Sequence, residues 1–104
     1  MLTEPNEILE FNDGETKELR IISWQNDEMV VRPARAPRGE VVKAMRLHVS
    51  KETKDHSPYY WDTTAKTLIH QLLPHLEAGN YHEKTFVITA HGTGPQKRFS
   101  LEVR

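Results

Sequence analysis

The strongest structural signal in the sequence is residues 64–78, where apolar side chains recur at helical spacing. That spacing places them on one face of an α-helix, and such a face is normally buried against another element. The apolar positions are Ala65, Leu68, Ile69, Leu72, Leu73 and Leu76. Threonine at position 63 or 64 can cap the start, and Gly79 can end the helix. Pro74 should bend or end the helix near Leu73, because it cannot donate to the carbonyl of His70.

Elsewhere apolar and polar residues alternate, which is typical of strands with one buried side. The predicted strands cover residues 8–11, 19–24, 29–32, 41–49, 84–90 and 97–104, the first being the weakest. Turn-forming residues, Gln25-Asn26-Asp27, should join 19–24 to 29–32 as a hairpin. The glycine-rich residues 91–95 should close a second hairpin between the last two strands.

Without the weak first segment, the order of elements is three strands, one helix and two strands. This is the order of the five-stranded OB-fold barrel, in which a helix lies between strands 3 and 4. An open sheet with its helix on one face has the same order. We therefore predict an α+β, β-rich fold with five antiparallel strands, either an OB-like barrel or an open sheet. The predicted core comprises Ile21, Val31, Met45, Leu47, Leu68, Ile69, Leu72, Phe86, Ile88, Phe99 and Leu101.

Composition and charge predict one domain spanning residues 1–104. Residues 1–19 have a net charge of −5 and the remainder +4, so residues 1–15 are expected to form an acidic, partly ordered arm beside a basic body. The absence of cysteine excludes thiolate chemistry and favours a reducing compartment. No segment has the length and apolar character of a membrane span or a signal peptide, so we predict a cytoplasmic protein without membrane contact.

Catalytic and metal-binding patterns are missing from the sequence. The 6 histidines form no H-x-H motif and no i, i+4 helical pair, so no metal site is predicted. The serines lie in no nucleophile motif, and the acidic residues form no evident general acid and base pair. His91-Gly92-Thr93-Gly94 resembles a phosphate-binding loop, but it leads into a strand rather than a helix. We predict neither an enzyme nor a cofactor.

Nucleic-acid binding has the ingredients it needs in this sequence. Sequence-tolerant binding of single strands requires cations along the phosphates and aromatic faces for the bases. The candidate residues are Arg20, Trp24, Arg32, Arg35, Arg38, Arg46, His48, Tyr59, Tyr60, Trp61, Lys97 and Arg98. The alternative interpretation of the aromatic residues is that they pack the core, with the arginines keeping the strand surfaces soluble.

The residues from Trp61 to Arg104 add a resemblance to a known family. They contain an apolar helix with T-L-I-H-Q-L-L, a strand with F-V-I-T, a G-x-G turn at Gly92 and Gly94, and a last strand with R-F-S-L-E-V. This tail resembles that of small phage-type single-stranded-DNA-binding proteins. The resemblance implies an OB-fold-like domain whose ligand is single-stranded DNA.

Two functions therefore follow from the sequence. The first is a non-catalytic module that binds single-stranded DNA or RNA on a basic, aromatic-bearing sheet face. The alternative is a protein-interaction, inhibitor or assembly module that uses its acidic N-terminal segment and its sheet edges. Its partner would be another protein or a second copy of the chain in a homo-oligomer.

Overall fold

A computed structural model describes residues 3–94 and 97–104. Within those residues it contains one α-helix and six strands: β1 Thr16–Leu19, β2 Ile21–Val31, β3 Glu40–Val49, β4 Tyr60–Thr63, α1 Lys66–Glu77, β5 Phe86–His91 and β6 Arg98–Val103. A short 3-10 helix, Tyr81–Glu83, follows α1. The strands form two antiparallel sheets, with the orders β1-β5-β6 and β2-β3-β4. The prediction of an α+β, β-rich fold is confirmed.

The predicted count of five strands is wrong. The predicted strands 19–24 and 29–32 lie in one strand, β2, while β4 was not predicted and the chain changes sheet at Arg20, which separates β1 from β2. β1 pairs with β5, and β2, which begins one residue later, pairs with β3. At this point the amide of Arg20 donates to Thr53 Oγ1 over 2.9 Å, and its carbonyl accepts from the amide of Ser50 over 3.0 Å. The predicted strand 19–24 is therefore divided between two sheets. Among the described residues the strand pairing does not close into a barrel.

The predicted hairpin with a turn at Gln25-Asn26-Asp27 is also wrong. β2 continues through these residues, and Gln25 pairs with Arg46 while Asp27 pairs with Ala44. The turn instead lies between β2 and β3, where the amide of Gly39 donates to the carbonyl of Ala36 over 2.9 Å. Gly39 has a φ of +109°, and a Cβ atom there would lie 2.8 Å from Val30 Cγ1. Both features require glycine at this turn.

Helix α1 and the antiparallel pairing of β5 with β6 confirm two predictions. Of the predicted turn 91–95, His91 belongs to β5 and Pro95 lies outside the described residues. The helix spans 66–77 rather than 64–78. The predicted threonine cap is wrong, because Ala65 is the cap residue and no side chain caps the helix, although Thr63 Oγ1 accepts a 3.2 Å bond from the amide of Ala65. Pro74 lies inside the helix and does not end it. Because Leu72 and Leu76 are both buried, packing of the last turn offsets the bond lost at Pro74. No helix among the described residues is long and apolar enough to cross a membrane.

The core contains most of the residues predicted for it. Eight are buried: Ile21, Met45, Leu47, Leu68, Ile69, Leu72, Phe86 and Ile88. Phe99 and Leu101 are partly buried and pack against this cluster. Val31 is only half-buried and lies outside it, so that prediction is wrong. The core also includes residues that were not predicted: Leu9, Phe11, Leu19, Val49, Leu76 and Ala90.

The N-terminal segment, residues 3–12, packs against the second sheet. The amide of Asp62 donates to the carbonyl of Glu7 over 2.6 Å, and the amide of Leu9 donates back to the carbonyl of Asp62 over 2.9 Å. This makes one parallel bridge beside β4 in place of the predicted strand 8–11. Leu9 and Phe11 then enter the core. The acidic charges of the segment are therefore attached to a chain that is anchored to the body of the protein.

Candidate nucleic-acid interface

The candidate interface is the side of the second sheet that faces away from the core, here called the outer face. Strand register defines it, because directly paired residues share one side of a sheet. One row consists of Gln25, Arg46 and Asp62, and the next consists of Ser23, His48 and Tyr60. The structure therefore brings Arg46, His48 and Tyr60 of the predicted site together on adjacent strands.

Arg46 is fixed in position by its neighbours on this face. Its Nε and Nη2 atoms donate to the two carboxylate oxygens of Asp62 over 2.7 and 3.0 Å. Its guanidinium carbon lies 4.2 Å from the centre of the Tyr60 ring, within the range of a cation–π contact. Hydrogen bonding to Asp62 raises the pKa of Arg46 above its usual value. The side chain of Asp62 is fully buried and that of Arg46 is 22% exposed, so part of the oriented Arg46 side chain remains accessible.

Tyr60 and His48 provide aromatic surface beside this cation. Their ring centroids are 5.7 Å apart, and both side chains are half-buried. The hydroxyl of Tyr60 accepts a 3.0 Å bond from Asn6 Nδ2. Arg46, Tyr60 and His48 thus form a continuous patch of one cation and two rings.

The loop between β2 and β3 carries the three predicted arginines near one end of this sheet. Arg32 donates to Glu4 over 2.6 Å and to the carbonyl of Arg38 over 3.0 Å. Arg35 donates to Glu40 over 2.6 Å. Arg38 is exposed and forms no ion pair among the described residues. Two of these arginines therefore already have a carboxylate partner, and both pairs are exposed to solvent.

The structure places both tryptophans on the opposite side of the sheet. Trp24 pairs with Leu47, which in turn pairs with Trp61, and Leu47 is fully buried. Both tryptophans are partly buried and pack against the core. Trp61 also lies near two lysines, with its ring 5.9 Å from Lys17 Nζ and 5.5 Å from Lys54 Nζ. The positions of both tryptophans therefore agree with the alternative interpretation of the sequence, in which the aromatic residues pack the core.

Four other predicted residues have separate surroundings. Arg20 donates to the carbonyl of His82 over 3.5 Å at the junction of β1 and β2. Lys97 donates to the carbonyl of Phe11 over 2.7 Å. Arg98 lies in the other sheet, paired with His91. The ring of Tyr59 lies 5.8 Å from Lys51 Nζ, just before β4 begins.

Sequence reasoning missed the buried charges that support this face. Lys54 is 4% exposed, and its ammonium donates to Glu7 over 2.6 Å and to the carbonyls of Pro58 and Tyr60 over 2.6 and 3.2 Å. These three acceptors use its three hydrogens. It lies in a polar stretch, residues 50–58, that gives no strand or helix signal. Nothing in its sequence context marks it as buried.

The described residues contain no group of three or more His, Asp or Glu side chains that could hold a metal ion. No protein-family model, curated protein or solved structure matches the chain. The fold and the site together define a small β-rich protein that presents a fixed arginine and two aromatic rings on one sheet face.

Proposed function

We propose that the protein binds single-stranded nucleic acid, DNA or RNA, on its outer face, in the cytoplasm and without catalysis. The observation that carries the proposal is the guanidinium of Arg46 held over the ring of Tyr60, next to His48. Single-strand binding combines phosphate neutralisation with base stacking, and this patch offers both on adjacent strands. The arginines at 32, 35 and 38 lie in the loop at one end of this sheet, where Arg38 is exposed without an ion pair among the described residues and the other two would exchange a carboxylate for a phosphate.

The proposal includes an OB-like arrangement of the strands. β1 and β2, separated only by Arg20, would together correspond to one bent first strand, followed by β3, β4, α1, β5 and β6. In OB-folds, the face of the second and third strands and the loop before the second strand bind oligonucleotides. In this chain those elements are β3, β4 and residues 32–39. The resemblance of residues 61–104 to phage-type single-stranded-DNA-binding proteins agrees with this proposal.

The phosphate-binding role is tested with the exposed loop arginines. Changing Arg35→Ala together with Arg38→Ala should weaken binding to every oligonucleotide sequence. It should also reduce the slope of log affinity against log salt by about one unit for each lost contact, since each contact releases counterions from the strand. Fluorescence anisotropy of a labelled single-stranded oligonucleotide at several salt concentrations measures both quantities.

Arg104→Ala is the matched control for this experiment, because Arg104 follows β6 and pairs with Glu18 and Glu102. Its loss should leave the affinity and the salt slope unchanged. If the double variant and Arg104→Ala change the affinity and the salt slope equally, the loop arginines do not contact the phosphates. Non-specific affinities extend to about 100 μM at their weak end. If the intact protein shows no detectable binding at that concentration and low salt, the proposed function is wrong.

The stacking role is tested at Tyr60. Tyr60→Ala should weaken oligonucleotide binding by about 1–3 kcal/mol, the usual value of one stacked base, with little change in the salt slope. Tyr60→Phe keeps the ring and loses only the hydroxyl that contacts Asn6, so it should bind at least as well as the original protein. The same anisotropy titration measures both variants. A similar loss in both would contradict stacking on this ring.

A protein-interaction function has one specific observation in its favour. β2 is an edge strand of 11 residues, and apart from Val30, whose amide donates to Thr3, no backbone bond to its outer edge is seen among the described residues. Long free edges pair with other chains, although the Asp27 carboxylate already covers the amide of Glu28 over 2.8 Å. Light scattering over a range of concentrations tests self-association, and a homo-oligomer lost on changing Asn26→Pro would support this alternative.

A further inference from the structure

Residues 3–7 lie across the outer face. At one end the carbonyl of Thr3 accepts from the amide of Val30 over 3.0 Å, at the free edge of β2. At the other end Asn6 reaches β4, where its amide donates to Asp62 Oδ2 over 3.0 Å and its side chain donates to Tyr60. Because β2 and β4 are the two edges of this sheet, the segment spans it from side to side.

Burial on this face agrees with the path of the segment. Met29 and Ala44 lie on the same side of the sheet as Arg46, and they are 3% and 0% exposed. Neither belongs to the main core cluster. The path of the segment between β2 and β4 crosses the side of the sheet on which these two residues lie.

The segment offers the arginines the same chemistry as a nucleic-acid backbone. The carboxylate of Glu4 binds Arg32 over 2.6 Å, at a side chain that a phosphate would contact. The side-chain amide of Asn6 donates a hydrogen bond to the hydroxyl of Tyr60, whose ring is proposed to stack on a base. Glu4 is the one acidic side chain of residues 3–6, so the segment presents a single negative charge, and that charge is directed at Arg32.

The two halves of the N-terminal segment are held with different strengths. From residue 7 onward it is fixed by the backbone bonds to Asp62 and by the burial of Leu9 and Phe11. Before residue 7 it is held by one backbone bond of Thr3, by the two bonds of Asn6 and by the ion pair of Glu4 with Arg32, whose side chains are 57% and 55% exposed. Exposed ion pairs are weak and are screened by salt. The stretch 3–6 can therefore leave the face while the anchor stays in place.

We propose that residues 3–6 are an intramolecular competitor that covers the outer face and is displaced when single-stranded nucleic acid binds. This inference rests on the proposed function of that face. Displacement frees Arg32 and Tyr60 at the moment of binding, so the measured affinity is the intrinsic affinity reduced by the fraction of molecules in which the segment is docked.

Removing one contact of the competitor tests the inference. Glu4→Gln should tighten binding of a labelled single-stranded oligonucleotide about 3- to 5-fold at low salt, the equivalent of one exposed ion pair. The gain should shrink as salt is raised, because the lost ion pair is itself screened. Glu10→Gln is the matched control, since Glu10 is exposed and makes no ion pair or side-chain hydrogen bond among the described residues. It makes the same change in net charge and should have a much smaller effect.

Amide hydrogen exchange supplies a readout that does not depend on affinity. Adding oligonucleotide should speed hydrogen exchange at the amide of Val30, because that amide loses its bond to the carbonyl of Thr3. The amide of Leu9, which is bonded to the carbonyl of Asp62, should stay protected. If oligonucleotide binds, but Glu4→Gln and Glu10→Gln have the same affinity for it and the exchange rate of the Val30 amide is unchanged, residues 3–6 are not a competitor. The proposed function then stands. If neither the intact protein nor Glu4→Gln binds oligonucleotide, the proposed function fails, and the competitor fails with it.

Discussion

Replacing Leu72 with alanine is expected to lower the free energy of unfolding by about 2–5 kcal/mol. Leu72 is fully buried in the middle of the apolar stripe of α1, which covers the core between the sheets. The substitution removes the buried side chain and leaves a cavity that the neighbouring residues fill only in part. Since a domain of this size has only about 5–15 kcal/mol of stability, a large part of it would be lost.

Thermal and urea unfolding followed by circular dichroism would measure this loss. His70→Ala is the matched control, because His70 lies in the same helix and is exposed. Its effect on the free energy of unfolding should stay within about 0.5 kcal/mol, as is usual for surface substitutions. An unchanged melting temperature for Leu72→Ala would show that the helix face assigned to the core is incorrect.

The helix was predictable because its signal is local. Apolar residues at helical spacing, with Thr63 before them and Gly79 after them, fall within about four turns of chain, and their burial follows from the pattern alone. The hairpin of β5 and β6 was predictable for the same reason. Each strand alternates, and a glycine-rich turn separates them by only a few residues.

The errors arise where pairing between distant residues decides the structure. Gln25, Asn26 and Asp27 favour turns locally, yet they lie in the exposed middle of an edge strand whose partner is β3. Leu9 and Phe11 alternate with polar residues, which is a weak signal. Their burial depends on the bonds between this segment and Asp62, more than fifty residues further along the chain.

The candidate site was predictable in part. Alternation along β3 assigns Arg46 and His48 to the same side of the strand, and the structure places them there. Among the three consecutive aromatics, only strand register identifies Tyr60 as the ring on the outer face, since Trp61 points the other way and Tyr59 lies before β4. The carboxylates that neutralise Arg32, Arg35 and Arg46 come from three separate elements. A count of charges along the chain therefore overstates how basic this surface is.

The ion pair of Arg46 with Asp62 on the outer face has a measurable role in stability. Asp62 is fully buried, and it accepts two bonds from Arg46 and one from the amide of Asn6. Removing one member of a buried pair leaves the other charge without compensation in a poorly solvated position, which typically costs about 3–5 kcal/mol. Because the Arg46 side chain is 22% exposed, water will stabilise part of the orphaned charge.

Asp62→Asn is accordingly expected to lower the free energy of unfolding by about 2–4 kcal/mol, somewhat less than for a fully buried pair. Glu40→Gln removes an acidic partner of the exposed Arg35 and should cost less than about 1 kcal/mol. Adding Arg46→Met to Asp62→Asn should recover part of the loss, because the uncompensated charge is then absent. Urea unfolding of the single variants Asp62→Asn, Glu40→Gln and Arg46→Met and of the double variant Asp62→Asn/Arg46→Met measures these differences. Equal effects of Asp62→Asn and Glu40→Gln, or strictly additive effects in the double variant, would show that Asp62 does not compensate Arg46.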